Sequence, residues 1–251
     1  MVWGGLRLAG TLLTAIPISG TAAAHGTPDR RTAAAAMYWA PVIGLLLGAA
    51  AAGVLLACRA GHSGPLLAAV LAIAVLAALT RGLHLDGLAD FADGLGSRQP
   101  ARRALEIMKR SDIGPFGVAT IVLTVLLQVS ALARAEQIGR GPVAVIVAGV
   151  TARLAMMLAC RHQVPSARPD GLGALVAGTV HPFWGGILAR AALAAAGAFG
   201  WIYPAAMAIA LLISLALTSL ATRRLGGITG DVLGALAEAT AAACLVITAV
   251  S

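Results

Sequence analysis

Charge is scarce in this sequence. Charged residues are 11% of its 251 positions, against 59% hydrophobic, where a soluble domain carries about a quarter charged. That shortage excludes a disordered chain and an ordinary soluble domain. Aromatic residues are also few, at 4%, and lysine occurs once, as Lys109. Three cysteines, Cys58, Cys160 and Cys244, lie in or at the ends of apolar runs with no C-x-x-C. This leaves neither a disulfide scaffold nor a zinc site. No G-x-x-x-x-G-K-[ST], G-x-S-x-G or H-E-x-x-H occurs, which removes the P-loop, the nucleophile elbow and the zincin helix.

What is present is apolar and small. Mean hydropathy is +0.91, and 30 glycines stand among abundant alanines. Small residues let membrane helices approach closely. A spanning helix needs about 20 apolar residues, and such runs cover 35–57, 65–80, 116–133, 142–160, 183–202, 205–221 and 233–250. A shorter run, 3–18, ends at Pro17. It reads as a spanning or interfacial piece and not as a signal peptide, because apolar segments follow directly and no small-residue cleavage site closes it. The expected fold is all-α, a polytopic transmembrane bundle of about 7–8 segments forming one domain over 1–251, with a polar loop or helix region at 81–115. Gly44 and Gly48 form a G-x-x-x-G in the 35–57 run and mark a helix contact.

The net charge of +8 is carried by arginines in short loops. On one side stand Arg81, Arg98, Arg102, Arg103, Lys109 and Arg110 of 81–115, with Arg30, Arg31, Arg161, Arg168, Arg223 and Arg224. The other side holds Arg59, Arg134 and Arg140. Twelve against three is the positive-inside pattern and places 81–115 in the cytoplasm. A lipid bilayer, and not nucleic acid, is therefore the partner that this basic chain implies.

Ten acids are few enough to read singly. Asp86, Asp90 and Asp93 fall at i, i+4 and i+7 of His84-Leu85-Asp86-Gly87-Leu88-Ala89-Asp90-Phe91-Ala92-Asp93-Gly94, within about 60° on one helical face. Like charges so close repel. Mg²⁺ is the natural counter-ion, since hard carboxylate oxygens suit it and it keeps coordination positions for phosphate. Asp231 and Glu238 are i and i+7 near the other end of the chain. Both clusters begin at the same membrane boundary, so Asp86, Asp90, Asp93, Asp231 and Glu238 are the expected metal ligands. Gly230 and Gly234 would keep that face open to a backbone or a phosphate. His84 is a candidate base, or an orienting partner for Asp86. Lys109, Arg110 and Ser111, before the turn at Gly114-Pro115, are candidate phosphate contacts. Arg168 and Asp170, in the loop 161–181 on the same side, are candidates for a substrate head group. Metal and basic side chains together are the equipment of phosphoryl transfer. The residues thus describe a metal-dependent membrane enzyme acting on a phosphoanhydride, with an alcohol as acceptor.

At these positions the chain resembles the cobalamin 5′-phosphate synthase family, adenosylcobinamide-GDP ribazoletransferases. The likeness rests on His84-Leu85-Asp86-Gly87-Leu88-Ala89-Asp90 with Asp93-Gly94, on Ala104-Leu105-Glu106-Ile107-Met108-Lys109, and on Ile113-Gly114 with Phe116-Gly117. Gly171-Leu172-Gly173 and Gly227 with Thr229-Gly230-Asp231 and Gly234-Ala235 extend it. The resemblance implies a last step of adenosylcobalamin (vitamin B12) synthesis. A hydroxyl of α-ribazole, or of its 5′-phosphate, attacks adenosylcobinamide-GDP and releases GMP, with Mg²⁺ required. It implies a bacterial cytoplasmic (inner) membrane, a site facing the cytoplasm, and other corrinoid-assembly enzymes as candidate partners. Two alternatives stand beside it. A CDP-alcohol phosphatidyltransferase uses aspartates on membrane helices, but its D-G-x-x-A-R pattern fails where Asp90 follows Ala89. A cation-coupled transporter would put the acids at mid-bilayer and show an internal repeat, which is not visible.

Overall fold

The computed structural model describes residues 2–14 and 29–250. Pro17, the end of the first apolar run, lies outside them. The described residues form eleven helices and no strands. They are α1 (Val2–Leu13), α2 (Arg30–Ala60), α3 (Pro65–Leu79), α4 (Leu83–Gly96), α5 (Ala101–Ile107), α6 (Pro115–Gln137), α7 (Gly141–Ala159), α8 (Gly171–Val176), α9 (Pro182–Gly197), α10 (Ile202–Leu225) and α11 (Gly230–Val250). Five of these (α2, α6, α7, α10 and α11) are long and apolar enough to cross a membrane, and the bent pair α3–α4, a broken span or a re-entrant loop, makes six if it is counted as one span. The shorter apolar helices α1, of 12 residues, and α9, of 16, account for the larger sequence estimate.

Local chemistry sets the ends of these helices. The Asp29 carboxylate accepts from the Thr32 amide at 2.9 Å and caps α2. Proline opens α3 and α9, where its missing N–H costs nothing. The 3–4 break follows from Arg81 (φ 53°) and Gly82 (φ 67°). Two left-handed residues in succession cannot continue a right-handed helix, and α4 departs from α3 at 87°.

The core runs along α7 and α11, each 67% buried over its most apolar stretch, while α6 at 28% is peripheral. Peripheral faces carry exposed leucines such as Leu123, Leu126 and Leu212, the surface a lipid-facing helix presents. The G-x-x-x-G of α2 meets α7. A Cβ on Gly48 would stand 2.7 Å from Ile146 Cα, and Gly44 lies against the carbonyl of Gly149. Backbone contact without side chains gives dispersion attraction over a long interface, which is how helices hold together where lipid removes the hydrophobic drive.

The helices alternate in direction, so the bundle has two distinct ends. At one, Arg59 at the end of α2 pairs with Glu136 at the end of α6 at 2.7 Å, and Arg140 donates to the carbonyl of Thr248 at 3.3 Å. At the other, Arg30 donates to the carbonyl of Ala177 at 2.9 Å. The functional candidates gather at this second end. The 81–115 region is not a free loop there: His84, Gly87, Leu88, Ala89, Phe91, Asp93 and Gly94 of α4 are buried in the bundle.

Candidate active site

Helix α4 reaches α11 backbone to backbone. A Cβ on Gly87 would come 2.9 Å from Asp231 Cα, and one on Gly234 would come 3.1 Å from His84 Cα. The first approach requires glycine, and the second is tighter than an ordinary Cβ contact. Asp86 and Asp90 flank Gly87 on α4, so this crossing carries both to Asp231. All three carboxylates act on one another electrostatically. Asp86 is exposed and Asp90 half-buried.

Asp231 is held in place. Thr229 Oγ1 donates to its Oδ2 at 3.2 Å and accepts from the Val232 amide at 3.2 Å, which caps α11. Arg168 Nη1 pairs with the same Oδ2 at 3.2 Å, and its Nη2 donates to the carbonyl of Leu105 at 2.8 Å. The loop that carries Arg168 is laced to the start of α11. Ala167 donates to the Ile228 carbonyl at 3.0 Å, and Ile228 donates to the Pro165 carbonyl at 2.9 Å. This lacing explains two glycines of the sequence pattern. Gly227 sits against Pro165 and Ala167, and a Cβ on Gly173 would meet Thr229 Cα at 2.8 Å.

Asp86 and Asp90, by contrast, have no hydrogen-bond or ion-pair partner for their side chains among the described residues. Arg168 balances one of three converging negative charges. No group of three or more His, Cys, Asp or Glu among the described residues forms a ready-made metal cage. The donor set fits Mg²⁺ in its usual manner, on one or two carboxylates with water and substrate phosphate oxygens completing the shell.

Two expected ligands are not in this group. Asp93 borders the same cavity as Asp90, but its two oxygens are engaged, accepting from the amides of Gly114 at 2.8 Å and Gly117 at 2.9 Å. It caps the N-terminus of α6 from a neighbouring helix, which satisfies two otherwise orphaned donors. The Ile-Gly-Pro-Phe-Gly pattern is the other half of that clamp, since a Cβ on either glycine would strike the Asp93 carboxylate. Glu238 lies two turns deeper along α11. It accepts from Gln128 Nε2 at 2.8 Å and belongs to a buried polar group with Arg153 and His84. His84 does not reach the substrate side. It is buried, and Arg153 Nη2 lies 3.4 Å from its Nδ1. Arginine has no acceptor, so Nδ1 must accept and is not free as a base. Gly234 serves the α4 backbone and not a phosphate, while Gly230 makes only ordinary contact with Leu172.

The basic residues divide likewise. Arg103 donates to Glu106 at 2.7 Å and holds that exposed carboxyl below the usual range, with Arg102 at 3.5 Å. Lys109 faces Asp170 at 3.5 Å, both exposed, and so ties the 107–114 loop to the 161–170 loop. Arg110 lines a cavity of about 300 Å³ together with Asp90, Asp112 and Phe116. Ser111 is exposed beside it. Arg153, Gln128 and Thr229 were not selected from sequence. For Arg153 a signal existed, as a charged residue inside the 142–160 apolar run, and Thr229 stood in the Thr229-Gly230-Asp231 motif; Gln128 is an ordinary residue type.

Comparison with known proteins places the chain in a family. The sequence model of the cobalamin-5-phosphate synthase family matches residues 5–249. The chain is 46% identical to an adenosylcobinamide-GDP ribazoletransferase of Frankia casuarinae, over 98% of this chain and 94% of that protein. It is 38% identical to one of Nocardioides sp. (95% of each). A third, of Bradyrhizobium diazoefficiens, is 41% identical over 93% of this chain and 88% of its own length. No solved structure matches.

Proposed function

The chain belongs to the cobalamin-5-phosphate synthase family, and on that premise we propose that it is a membrane transferase of the final steps of cobalamin synthesis. It joins α-ribazole, or its 5′-phosphate, to adenosylcobinamide-GDP and releases GMP. The observation that carries the reading is the meeting of Asp86 and Asp90 with Asp231 where α4 crosses α11 at Gly87.

Asp86 and Asp90, free of protein partners, face the diphosphate. One of them accepts the proton of the ribazole hydroxyl as its oxygen attacks the cobinamide-side phosphorus. The phosphoanhydride P–O bond breaks and the electron pair leaves with GMP. Arg168, anchored by Leu105 and Asp231, presents a fixed positive charge to phosphate oxygens. Lys109, Arg110 and Ser111 on the 107–114 loop, with Asp170 opposite, border the space where the second substrate enters. Mg²⁺ held by one or two of Asp86, Asp90 and Asp231 would supply charge neutralisation for the diphosphate and the departing nucleotide. The site faces the cytoplasm of a bacterium, where the basic loops lie and where other corrinoid-assembly enzymes would deliver the substrate.

The test is GMP release by the purified protein in lipid nanodiscs, given adenosylcobinamide-GDP and α-ribazole with Mg²⁺. Release that requires both substrates is expected. Hydrolysis without the acceptor, or no reaction, refutes the assignment.

A further inference from the structure

Below the carboxylate stripe, inside the bundle, side chains from five helices meet at one chamber of about 50 Å³. Thr80 caps α3; His84 belongs to α4, Gln128 to α6, Arg153 to α7 and Glu238 to α11. Arg153 is 7% exposed, and its Nε is fully buried with no hydrogen-bond partner. Its Nη2 reaches His84 Nδ1 at 3.4 Å. Glu238 shares the chamber and is bonded to Gln128. Among the described residues, no ion pair closes between Arg153 and Glu238. The chamber is lined mostly by apolar residues, with Thr80, His84, Gln128, Arg153 and Glu238 as its polar groups; a buried charged donor among such groups calls for water, since a site of about 10–15 Å³ with two to four polar partners holds one molecule.

The location of the chamber gives it a purpose. It lies at the 87° break between α3 and α4, where the continuous helix gives way to a turn in which the Leu83 amide donates to the Thr80 carbonyl at 3.1 Å. Among the described residues, Arg153 is the side chain from another helix that bonds the first turn of α4. Asp86 is two residues beyond His84. We propose that the chamber is a hydrated lock, in which Arg153, bonded to His84 and bridged by one or two waters to Glu238, is the positioning residue that sets the start of α4. It thereby holds Asp86 and Asp90 against Asp231. Which residues do the chemistry rests on the function proposed above; the lock itself does not. Glu238 compensates the buried charge of Arg153, and Gln128 orients Glu238.

Two readouts test the lock. Spin labels on the exposed positions Gln99 and Arg224, in a protein whose three cysteines are replaced by alanine, report the distance from the end of α4 to the bundle without any substrate. A narrow distribution is expected for the parent, and a broadened or shifted one for Arg153→Met. In the transfer assay, Arg153→Met should lower kcat per folded enzyme by about 100-fold, the scale of a misplaced reacting group, while KM for adenosylcobinamide-GDP stays within about threefold. Arg153→Lys, which keeps the charge but loses Nε and the fork, is decisive if the Met variant fails to fold, and should show the same distance change with a smaller loss of kcat. Unchanged distances, or an activity loss that only tracks the loss of folded protein, overturn the proposal. A high-resolution map with a dry chamber overturns its hydrated part. If the distances respond but the parent releases no GMP, the transferase reading fails and the lock stands.

Discussion

Asp231 and Glu238 stand seven residues apart on α11, a rise of about 10 Å, and they belong to unlike regions. Around Asp231 the carboxylates of Asp86, exposed, and Asp90, half-buried, are unpaired. Around Glu238 the polar groups are buried, bonded to Gln128 and shared with Arg153. Both regions are built by the same two helices, α4 and α11, and Gly87 and Gly234 bring those helices together at both levels. The difference teaches a division of labour. In water at the bundle end, unpaired like charges can wait for a cation and a phosphate. In the interior an unpaired charge is too costly, so Glu238 is bonded to Gln128 and shares its chamber with the opposite charge of Arg153, and the deeper group serves to hold.

The comparison can be broken most severely at the open region. Asp86→Asn or Asp231→Asn should reduce GMP release by about 100-fold or more while leaving insertion and thermal stability near those of the parent. Full turnover in both would remove the stripe from the chemistry. Chelation should act in the same place: excess EDTA should abolish release, added Mg²⁺ should restore it, and the melting temperature should barely move. The hinge between the regions comes next. Gly87→Val drives a side chain into the backbone of Asp231, and should cost about 1–3 kcal/mol of stability together with most of the activity. A variant with parent-like melting and turnover would show that α4 and α11 need not touch.

Asp93→Ala separates clamp from ligand. Losing two charge-assisted bonds to the α6 amides should cost about 1–3 kcal/mol and raise KM for the acceptor through a loosened 107–114 loop. The Mg²⁺ concentration for half-maximal rate should stay the same, whereas a shift in it would return Asp93 to the metal. The smallest effect is expected for Lys109→Ala. Its pair with Asp170 is exposed and worth about 0–1 kcal/mol, so stability should hold, and a KM rise of a few fold would mark a phosphate contact. An unchanged KM would leave Lys109 as a loop tie alone.

Much of the site was legible beforehand, for reasons tied to particular residues. Asp86 and Asp90 could be read because charges are rare in an apolar chain and their spacing matches a helical face. Asp231 could be read because it opens a helix at the same membrane boundary. The same spacing rule misplaced Asp93 and Glu238. Periodicity reports which face a residue occupies and not what lies opposite, and both acids had partners on other helices: the amides of Gly114 and Gly117 for one, Gln128 for the other. His84 looked like a base for want of any sequence sign that Arg153, 69 residues away, covers its Nδ1. Gly227 and Gly173 were visible as motif glycines, but the loop backbones they admit were not.

Composition and run length by themselves determined that this chain is a helical membrane protein, since burying or facing lipid is the only outcome open to so many apolar residues with so little charge. They also determined the ends of the bundle at which basic and acidic residues collect. Tertiary packing decided which acids face each other, because a helix crossing depends on where two backbones can touch. Here that is set by two glycines and an 87° break, features whose consequence exists only once the helices are side by side.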